Sequence, residues 1–367
     1  MKENRKITEQ VVTGTSLTNW LALLFENRFH ISWRYLPRAF LVTLMTFLTF
    51  PLVLYERIRY GRKIKKTAIK SPLIIIIGHW RSGTTFLQSL MIQDKQFAYI
   101  SQYQALMPHI YLCGDKLVKR ILKRYMPKTR RMDNVPMGVY EPQDEEYAMI
   151  NLSRYTFYLS LMFPRRIRHY ARFNTLDTLS EKAFKKWKKI YLDFLKKIAY
   201  CSGGKRLLLK NPSNTCRIKI LLEMFPNVKF IHLYRNPFDV FPSTLLLHEK
   251  LSPYTLLQRP YSPKKRNEII FDVYQEMYEK FFAEKEFIPV DNLIEIRYED
   301  FIQDPYIHLQ KIYKKFNFSD FEKNTENFKS YLITQQNFKI NIHNIDDNLK
   351  QEIANRWQFT INKWGYG

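Results

Sequence analysis

Short apolar runs alternate with helical patterns over most of the sequence. The first run, Leu73–Ile77, is continuous and rich in isoleucine, which is typical of a strand buried on both faces. Three more strand candidates follow, namely Arg206–Leu209, Val228–Leu233 and Leu293–Arg297. Helical patterns come after them, at Thr84–Gln93, Ser213–Phe225, onward from Pro237, and at Pro305–Phe316. This series predicts an α/β fold of three layers, in which helices flank a central parallel sheet.

A different pattern precedes these strands. Residues 39–55 carry no charge, and this length is at the short limit for crossing a bilayer. Basic residues follow at once, and they place everything downstream in the cytoplasm if the run spans: Arg57, Arg59, Arg62, Lys63, Lys65 and Lys66. The alternatives are a helix in the membrane interface or one packed on the main domain. We predict a membrane-associated helical region over residues 1–70 and a second domain over residues 71–367.

The net charge of +25 indicates anionic partners, such as nucleotide phosphates, an acidic acceptor, an anionic membrane or nucleic acid. No nucleic-acid motif is recognised, so we do not expect nucleic acid. Lysines concentrate in residues 119–131 and 181–197. The second stretch predicts an amphipathic helix whose basic face is either solvated or a docking surface. Three cysteines without paired spacing favour a reducing compartment over a disulfide framework or a structural zinc site.

The clearest chemical motif follows the first strand. Residues 78–85, GHWRSGTT, fit the phosphate-loop pattern GxxxxGK[ST] except that Thr84 replaces the lysine. Glycines let the backbone approach phosphate oxygens, and a helix N-terminus directs N–H groups at the anion. The loop lacks the lysine, and no other predicted strand ends in a clear acidic residue that would hold Mg²⁺. The loop therefore suits a phosphosulfate better than a triphosphate, and we expect no metal. A kinase or NTPase is the main alternative.

The segment GHWRSGTTFL resembles the 5′-phosphosulfate loop of sulfotransferases that use 3′-phosphoadenosine-5′-phosphosulfate (PAPS). Arg81 stands where the animal cytosolic enzymes carry lysine, as in bacterial and protein-tyrosine sulfotransferases. The resemblance implies a P-loop-like fold and transfer of a sulfuryl group from PAPS to a hydroxyl or amine. It also implies that PAPS is bound by five residues of the loop: Arg81, Ser82, Gly83, Thr84 and Thr85.

Two further segments resemble this family. Arg235 ends a strand and Ser243 follows eight residues later, the separation of the pair that holds the 3′-phosphate. Arginine offers a planar, permanently charged fork that suits phosphate. Tyr298, in the stretch RYEDF, is implied to contact the donor, and the alternative is packing at a strand end.

Sulfuryl transfer, by analogy with phosphoryl transfer, needs cations beside the developing charge. We predict that Arg81 and Lys210 supply them. Lys210 ends a strand, and the carboxyl edge of a parallel sheet is where such sites form. The alternative is a lysine that caps the strand at the surface.

The acceptor also needs a base. The segment at residues 141–146, EPQDEE, contains four carboxylates and resembles a bacterial PQEDEF motif, which a stretch like Met132–Asn134 precedes. Because crowded carboxylates raise one another's pKa, we predict Glu146 as the base and Glu145 as second choice. The alternative is a solvated acidic helix start. Animal cytosolic members place a catalytic histidine where this chain has Pro212, which favours a carboxylate base here. Four scattered histidines are expected to have structural or surface roles: His79, His232, His248 and His343.

The chain is therefore expected to be a bacterial-type sulfotransferase on the cytoplasmic face of a membrane. A lipid, a lipid-linked sugar or another amphipathic molecule is the expected acceptor. A degenerate sulfotransferase fold that serves as a scaffold is a less favoured alternative, because both donor loops are complete.

Overall fold

The computed structural model describes residues 11–130, 132–133, 135–336 and 344–367. Arg131, Asn134 and His343, which figured in the sequence patterns, lie outside the described residues. The strands are β1 (Ile74–Ile77), β2 (Phe97–Ala98), β3 (Arg206–Lys210), β4 (Lys229–Tyr234) and β5 (Leu293–Arg297). The helices are α1 (Leu17–Glu26), α2 (Leu36–Lys66), α3 (Thr84–Met91), α4 (Gln102–Leu106), α5 (Asp115–Tyr125), α6 (Glu145–Leu152), α7 (Ile167–Ala171), α8 (Glu181–Cys201), α9 (Ile218–Met224), α10 (Pro237–Thr255), α11 (Pro263–Glu284), α12 (Tyr298–Gln303), α13 (Pro305–Phe316), α14 (Thr325–Gln335), α15 (Asp347–Arg356) and α16 (Gln358–Trp364).

The five strands form one parallel sheet in the order β2-β3-β1-β4-β5. All four residues of β1 are fully buried, as the continuous apolar run predicted. The strand order changes direction at β1, and ligands of open α/β sheets bind beyond the carboxyl ends of the strands at such a point. The predicted three-layer α/β fold is confirmed. The two-residue strand β2 escaped prediction because it is too short to show a pattern.

Local capping explains which predicted helices are correct. Helix α13 matches the prediction residue for residue, because the Asp304 side chain accepts a hydrogen bond from the Ile307 N–H (2.9 Å) and Asn317 ends the helix at φ 51°. The predicted helix Ser213–Phe225 is correct in its second part, Ile218–Met224, and wrong in its first. Asn211 instead caps a short 3₁₀ turn, Pro212–Cys216, before α9 begins at Ile218.

The described residues fall into two compact units. The helical unit takes its residues from Met1–Ile69, Ile100–Gly204 and His248–Ser262. The sheet unit takes its residues from Lys70–Tyr99, Lys205–Leu247 and Pro263–Gly367, and it contains all five strands named above. The predicted division at residue 70 remains a prediction.

Within the helical unit, the uncharged run forms the middle of α2, a helix that continues through Pro51. By length and composition, Trp33–Lys66 is able to cross a membrane, although buried core helices and signal sequences meet the same criteria. One side of α2 packs on α8. There Glu56 forms a buried ion pair with Lys197, whose Nζ also donates to the Pro108 carbonyl (2.6 Å). Burial lowers the pKa of Lys197, and the Glu56 carboxylate opposes that shift.

Candidate active site

The phosphate loop approaches its neighbours most closely at two glycines. A Cβ on Gly78 would lie 2.2 Å from the Leu233 carbonyl oxygen, and Gly78 has φ 139°. A Cβ on Gly83 would lie 2.4 Å from the Tyr298 ring, and Gly83 has φ 85°. Both positions therefore require glycine, for space as well as for conformation. Gly83 then caps α3, which directs its first N–H groups into the loop.

Arg81 lies between these glycines and has φ 74°, an unfavourable value for a residue with a side chain. Its carbonyl oxygen accepts a hydrogen bond from Arg235 Nη1 (3.0 Å). Its own Nε donates to Ser243 Oγ (2.9 Å). The structure thus brings together three predicted donor-binding residues from two distant motifs. Strained backbone of this kind persists where the surroundings fix it, and it clusters at functional sites.

Arg235 follows β4 directly and is buried. Its guanidinium carbon lies 4.5 Å from the centre of the Tyr298 ring. Its Nε has no hydrogen-bond partner among the residues that the structure describes. A buried, charged N–H group without a hydrogen-bond acceptor raises the free energy of the folded state. This N–H group is therefore suited to bind an anionic oxygen of a ligand. The Arg235 environment therefore fits a phosphate group.

Tyr298 follows β5 and is buried against both Gly83 and Arg235. Burial raises the pKa of Tyr298, and the Arg235 charge opposes the rise. The phenol is accordingly protonated at neutral pH and able to donate a hydrogen bond. Packing of Tyr298 at the strand end is thus observed, and its contact with PAPS remains a prediction.

Of the other predicted loop residues, Ser82 precedes the capping glycine, and Thr84 and Thr85 begin α3. Ser82 and Thr84 are buried, whereas Thr85 is half-buried. Sequence reasoning missed Thr215, whose Oγ1 accepts a hydrogen bond from the Gly78 N–H (2.8 Å). The available signal was the largely polar stretch at residues 211–215, which comes directly after a predicted strand and Lys210.

Lys210 is the last residue of β3, which pairs with β1, the strand that leads into the phosphate loop. Its backbone pairs in register with Ile76, one residue before β1 ends. The side chain is buried, so the alternative of a lysine capping the strand at the surface is wrong. Lys210 is therefore at the sheet edge from which the phosphate loop starts.

The acidic segment lies in the helical unit and begins α6. Glu145 and Glu146 are fully buried, which makes the alternative of a solvated acidic helix start wrong. Each carboxylate has a hydroxyl donor: Tyr191 to Glu145 (3.0 Å) and Thr156 to Glu146 (2.7 Å). The preceding Glu141 has its pKa raised by burial. The predicted order of preference between the two glutamates remains a prediction.

Two of the four histidines considered are buried in the sheet unit. His79 packs against the ring of Tyr274, with ring centres 5.0 Å apart. His232 lies in β4, where burial lowers its pKa while Glu295, 3.0 Å away on β5, opposes that effect. The structural role expected for both histidines agrees with these surroundings.

A further chain of contacts joins the C-terminal segment to this sheet edge. The Tyr366 hydroxyl donates to Glu299 Oε2 (2.7 Å), and Glu299 Oε1 accepts from the Asn236 N–H (3.0 Å). Asn236 directly follows Arg235, so Tyr366 and Glu299 support the backbone beside the buried guanidinium.

This fold and this loop cluster are typical of a nucleotide-dependent group-transfer enzyme. The model of the sulfotransferase family matches residues 72–322. Over 356 residues, the chain is 31% identical to the omega-hydroxy-beta-dihydromenaquinone-9 sulfotransferase Stf3 of Mycobacterium bovis and of Mycobacterium tuberculosis, covering 96% of this chain and 90% of each relative. The chain therefore belongs to the sulfotransferase family and is an enzyme that transfers sulfuryl groups. The predicted family and enzyme class are confirmed.

Solved structures support the same fold. Sulfotransferase STF9 from Mycobacterium avium superposes with a TM-score of 0.70 at 16% identity, covering 98% of this chain and 97% of that one. Sulfotransferase STF1 from Mycobacterium tuberculosis gives a TM-score of 0.63 at 17% identity, covering 92% and 91%. At this identity the likeness establishes the fold alone.

Gly83→Ala should weaken binding of the product nucleotide, adenosine 3′,5′-bisphosphate, at least about tenfold, because the new methyl group collides with the Tyr298 ring. Gly204→Ala is the matched control: Gly204 has φ 81° and nothing within 4 Å of its added Cβ. The control should lose only about 1 kcal/mol of stability and should bind normally. Calorimetric titration measures the affinities, and equal affinities for the two variants would contradict the close approach at Gly83.

Proposed function

We propose that this enzyme transfers the sulfuryl group of PAPS to a hydroxyl group of a lipid acceptor at the cytoplasmic face of a membrane. The observation that carries the donor assignment is the cluster formed by Arg81, Ser243 and Arg235, in which two motifs far apart in sequence meet. A donor with phosphate groups at both its 5′ and 3′ positions needs two such motifs side by side. ATP lacks the 3′-phosphate that the second motif would bind.

In this proposal, the backbone N–H groups at the start of α3 and the hydroxyls of Ser82, Thr84 and Thr85 bind the 5′-phosphosulfate. Arg235 and Ser243 bind the 3′-phosphate, and Tyr298 lies beside them. The Nε of Arg235, which has no acceptor among the described residues, supports this role. When bound, PAPS supplies a sulfuryl group activated by its anhydride bond to phosphate.

Transfer breaks the bond between sulfur and the bridging oxygen and forms a bond between sulfur and the acceptor oxygen. Arg81 and Lys210 neutralise the charge that accumulates during this exchange. The acceptor hydroxyl loses its proton to a carboxylate, for which Glu146 is the first candidate and Glu145 the second. The products are a sulfate ester and adenosine 3′,5′-bisphosphate.

The lipid acceptor is supported by the relatives and by the composition of α2. The mycobacterial relatives carry the name of a hydroxylated dihydromenaquinone, and their similarity extends over 96% of this chain, the uncharged run included. The exposed side chains of α2 include many large apolar ones. We therefore propose a bacterial-type enzyme whose acceptor is an isoprenoid lipid with a terminal hydroxyl. The three cysteines, all free thiols, agree with a cytoplasmic location.

The donor is tested by calorimetric titration of the full chain with adenosine 3′,5′-bisphosphate and, separately, with ATP and Mg²⁺. We expect the bisphosphate to bind without metal, and Arg235→Ala to weaken that binding by about 1.5–3 kcal/mol through loss of a charge-assisted contact. Exposed Arg259→Ala is the control and should bind normally. Preference for ATP with Mg²⁺, or an unchanged affinity in Arg235→Ala, would refute the donor assignment.

The acceptor is tested with radiolabelled PAPS and two detergent-dispersed isoprenoid quinols, one with a terminal hydroxyl and one without it. We expect label only in the hydroxylated lipid, because the sulfate ester forms at that oxygen. A water-soluble phenol serves as a third substrate. Efficient labelling of the phenol with none of the lipid would show that the acceptor is a small soluble molecule.

Glu146→Gln removes the proposed base while it keeps the size of the side chain and its bond with Thr156. We expect kcat to fall about 10²–10⁴-fold, with unchanged affinity for the bisphosphate. Glu145→Gln is the matched variant, since it is equally buried on the same helix turn. A larger loss in Glu145→Gln would exchange the two roles, and full kcat in both variants would exclude a base in this segment.

A further inference from the structure

Helix α2 is fixed to the helical unit near both of its ends. Near its start, buried Arg38 donates hydrogen bonds to the carbonyl oxygens of Leu256 (3.0 Å) and Pro253. Near its end, buried Glu56 pairs with Lys197 and accepts the N–H groups of the chain at residues 112 (2.7 Å) and 113 (3.1 Å). These two anchors are 18 residues apart, or about 27 Å along the helix axis.

Between the anchors, the two sides of α2 differ in their surroundings. The side that faces the unit is buried at positions spaced by three or four residues: Ala39, Val42, Thr46 and Thr49. The opposite side exposes large apolar side chains to solvent: Phe40, Leu44, Phe47, Leu48, Phe50, Leu54, Tyr55 and Ile58. A contiguous apolar surface of this size marks an interaction site.

The two anchors also restrict the orientation that α2 is able to take at a bilayer. A spanning α2 would place Arg38 and Glu56 near opposite sides of a hydrocarbon core that is about 30 Å thick. The protein groups that bind them, including Lys197 and the carbonyl of Leu256, would have to enter the hydrocarbon with them. Irregular backbone and charges exposed to lipid are strongly unfavourable there. The anchors therefore favour a helix that lies along the interface.

Helix α5 carries a second surface of matching character. Its exposed apolar side chains recur every four residues, at Leu117, Ile121 and Tyr125. A basic residue precedes each of them, so a positive row runs beside the apolar row: Lys116, Arg120 and Arg124. This arrangement is typical of helices that bind anionic lipid headgroups.

Glu56 holds the start of α5 close to the end of α2, because the backbone that it binds at residues 112 and 113 leads directly into α5 at Asp115. The end of α2 adds exposed basic side chains: Arg57, Arg59, Arg62, Lys63, Lys65 and Lys66. We infer that α2 and α5 form one docking surface for an anionic lipid bilayer, on which α2 lies along the interface rather than across the membrane. This inference rests on the membrane association proposed above. The concentration of positive charge favours a bilayer over a second copy of the same basic chain.

Flotation of the full chain with phosphatidylcholine vesicles, with and without phosphatidylglycerol, tests the surface. Phe47→Glu/Leu54→Glu should weaken binding to both kinds of vesicle about 100-fold, because it places charge in the apolar face. Lys116→Gln/Arg120→Gln/Arg124→Gln should weaken binding to anionic vesicles roughly 100-fold, at about fivefold for each charge. Ile333→Glu is the control, since Ile333 is exposed in the sheet unit. Unchanged vesicle binding in either multiple variant would overturn the docking surface.

Orientation is tested separately with Leu36→Cys and Lys65→Cys, two exposed positions near opposite ends of α2, each in a chain whose native thiols at Cys113, Cys201 and Cys216 are replaced by serine. In native membrane vesicles, a membrane-impermeant maleimide should label both cysteines from the same side. Labelling from opposite sides would mean that α2 spans. A dimer that Phe47→Glu/Leu54→Glu dissociates, with no change in vesicle binding, would instead make the face a contact between copies.

The two vesicle-binding variants, Phe47→Glu/Leu54→Glu and Lys116→Gln/Arg120→Gln/Arg124→Gln, should keep their affinity for adenosine 3′,5′-bisphosphate. They should also keep their turnover of the detergent-dispersed acceptor. These two measurements separate the inference from the proposed function. Loss of vesicle binding with retained turnover supports the docking surface. Normal vesicle binding with no sulfuryl transfer to any lipid would refute the function and leave the surface intact.

Discussion

The phosphate loop packs so closely on its neighbours that two of its positions, Gly78 and Gly83, have no room for a side chain. At Gly78 the loop touches the last residues of β4, and at Gly83 it touches the ring that follows β5. The loop conformation is therefore tied to the positions of three parallel strands. Any change in the register of those strands would displace Leu233 or Tyr298 relative to the loop, so the sheet itself sets the geometry of the phosphate loop.

The parts of this site that were predictable are those that depend on neighbouring residues. Strand, loop and helix follow one another at residues 73–93, and Arg235 and Ser243 are eight residues apart on one turn and helix. The contact between Arg81 and Ser243 joins positions 162 residues apart, and no local pattern encodes such a contact. The anchor at Thr215 escaped for the same reason, because its role depends on the neighbouring strand.

Burial is the second property that the sequence conveys poorly. The acidic segment looks like a solvated helix start, yet Glu145 and Glu146 are fully buried with hydroxyl partners contributed by other segments. The break between Pro212 and α9 was also missed, because the Asn211 side chain starts a tighter turn there. The partners of the two glutamates are chosen by the tertiary structure, whereas the Asn211 side chain accepts the N–H of Ser213, two residues further along.

The basic residues of this chain have several separate roles, which the net charge alone does not reveal. Arg235 is buried over an aromatic ring, and Lys197 is buried with a carboxylate, a carbonyl and the Tyr111 ring 3.9 Å away. A buried cation needs fixed acceptors to offset its lost hydration, so each of these residues determines the position of its neighbours. The exposed charges on α2 and α5 have no such constraint and remain available to a large anionic surface.

The exposed face of α2 has a kinetic consequence for an enzyme whose acceptor is a lipid. An enzyme bound along a bilayer meets that lipid by lateral diffusion, so the relevant quantity is the number of acceptor molecules per unit of membrane area. Diluting the acceptor with inert lipid would slow turnover, whereas adding more membrane of the same composition would not. The nucleotide would still arrive from the aqueous phase, so such an enzyme would meet one substrate by diffusion in three dimensions and the other by diffusion in two.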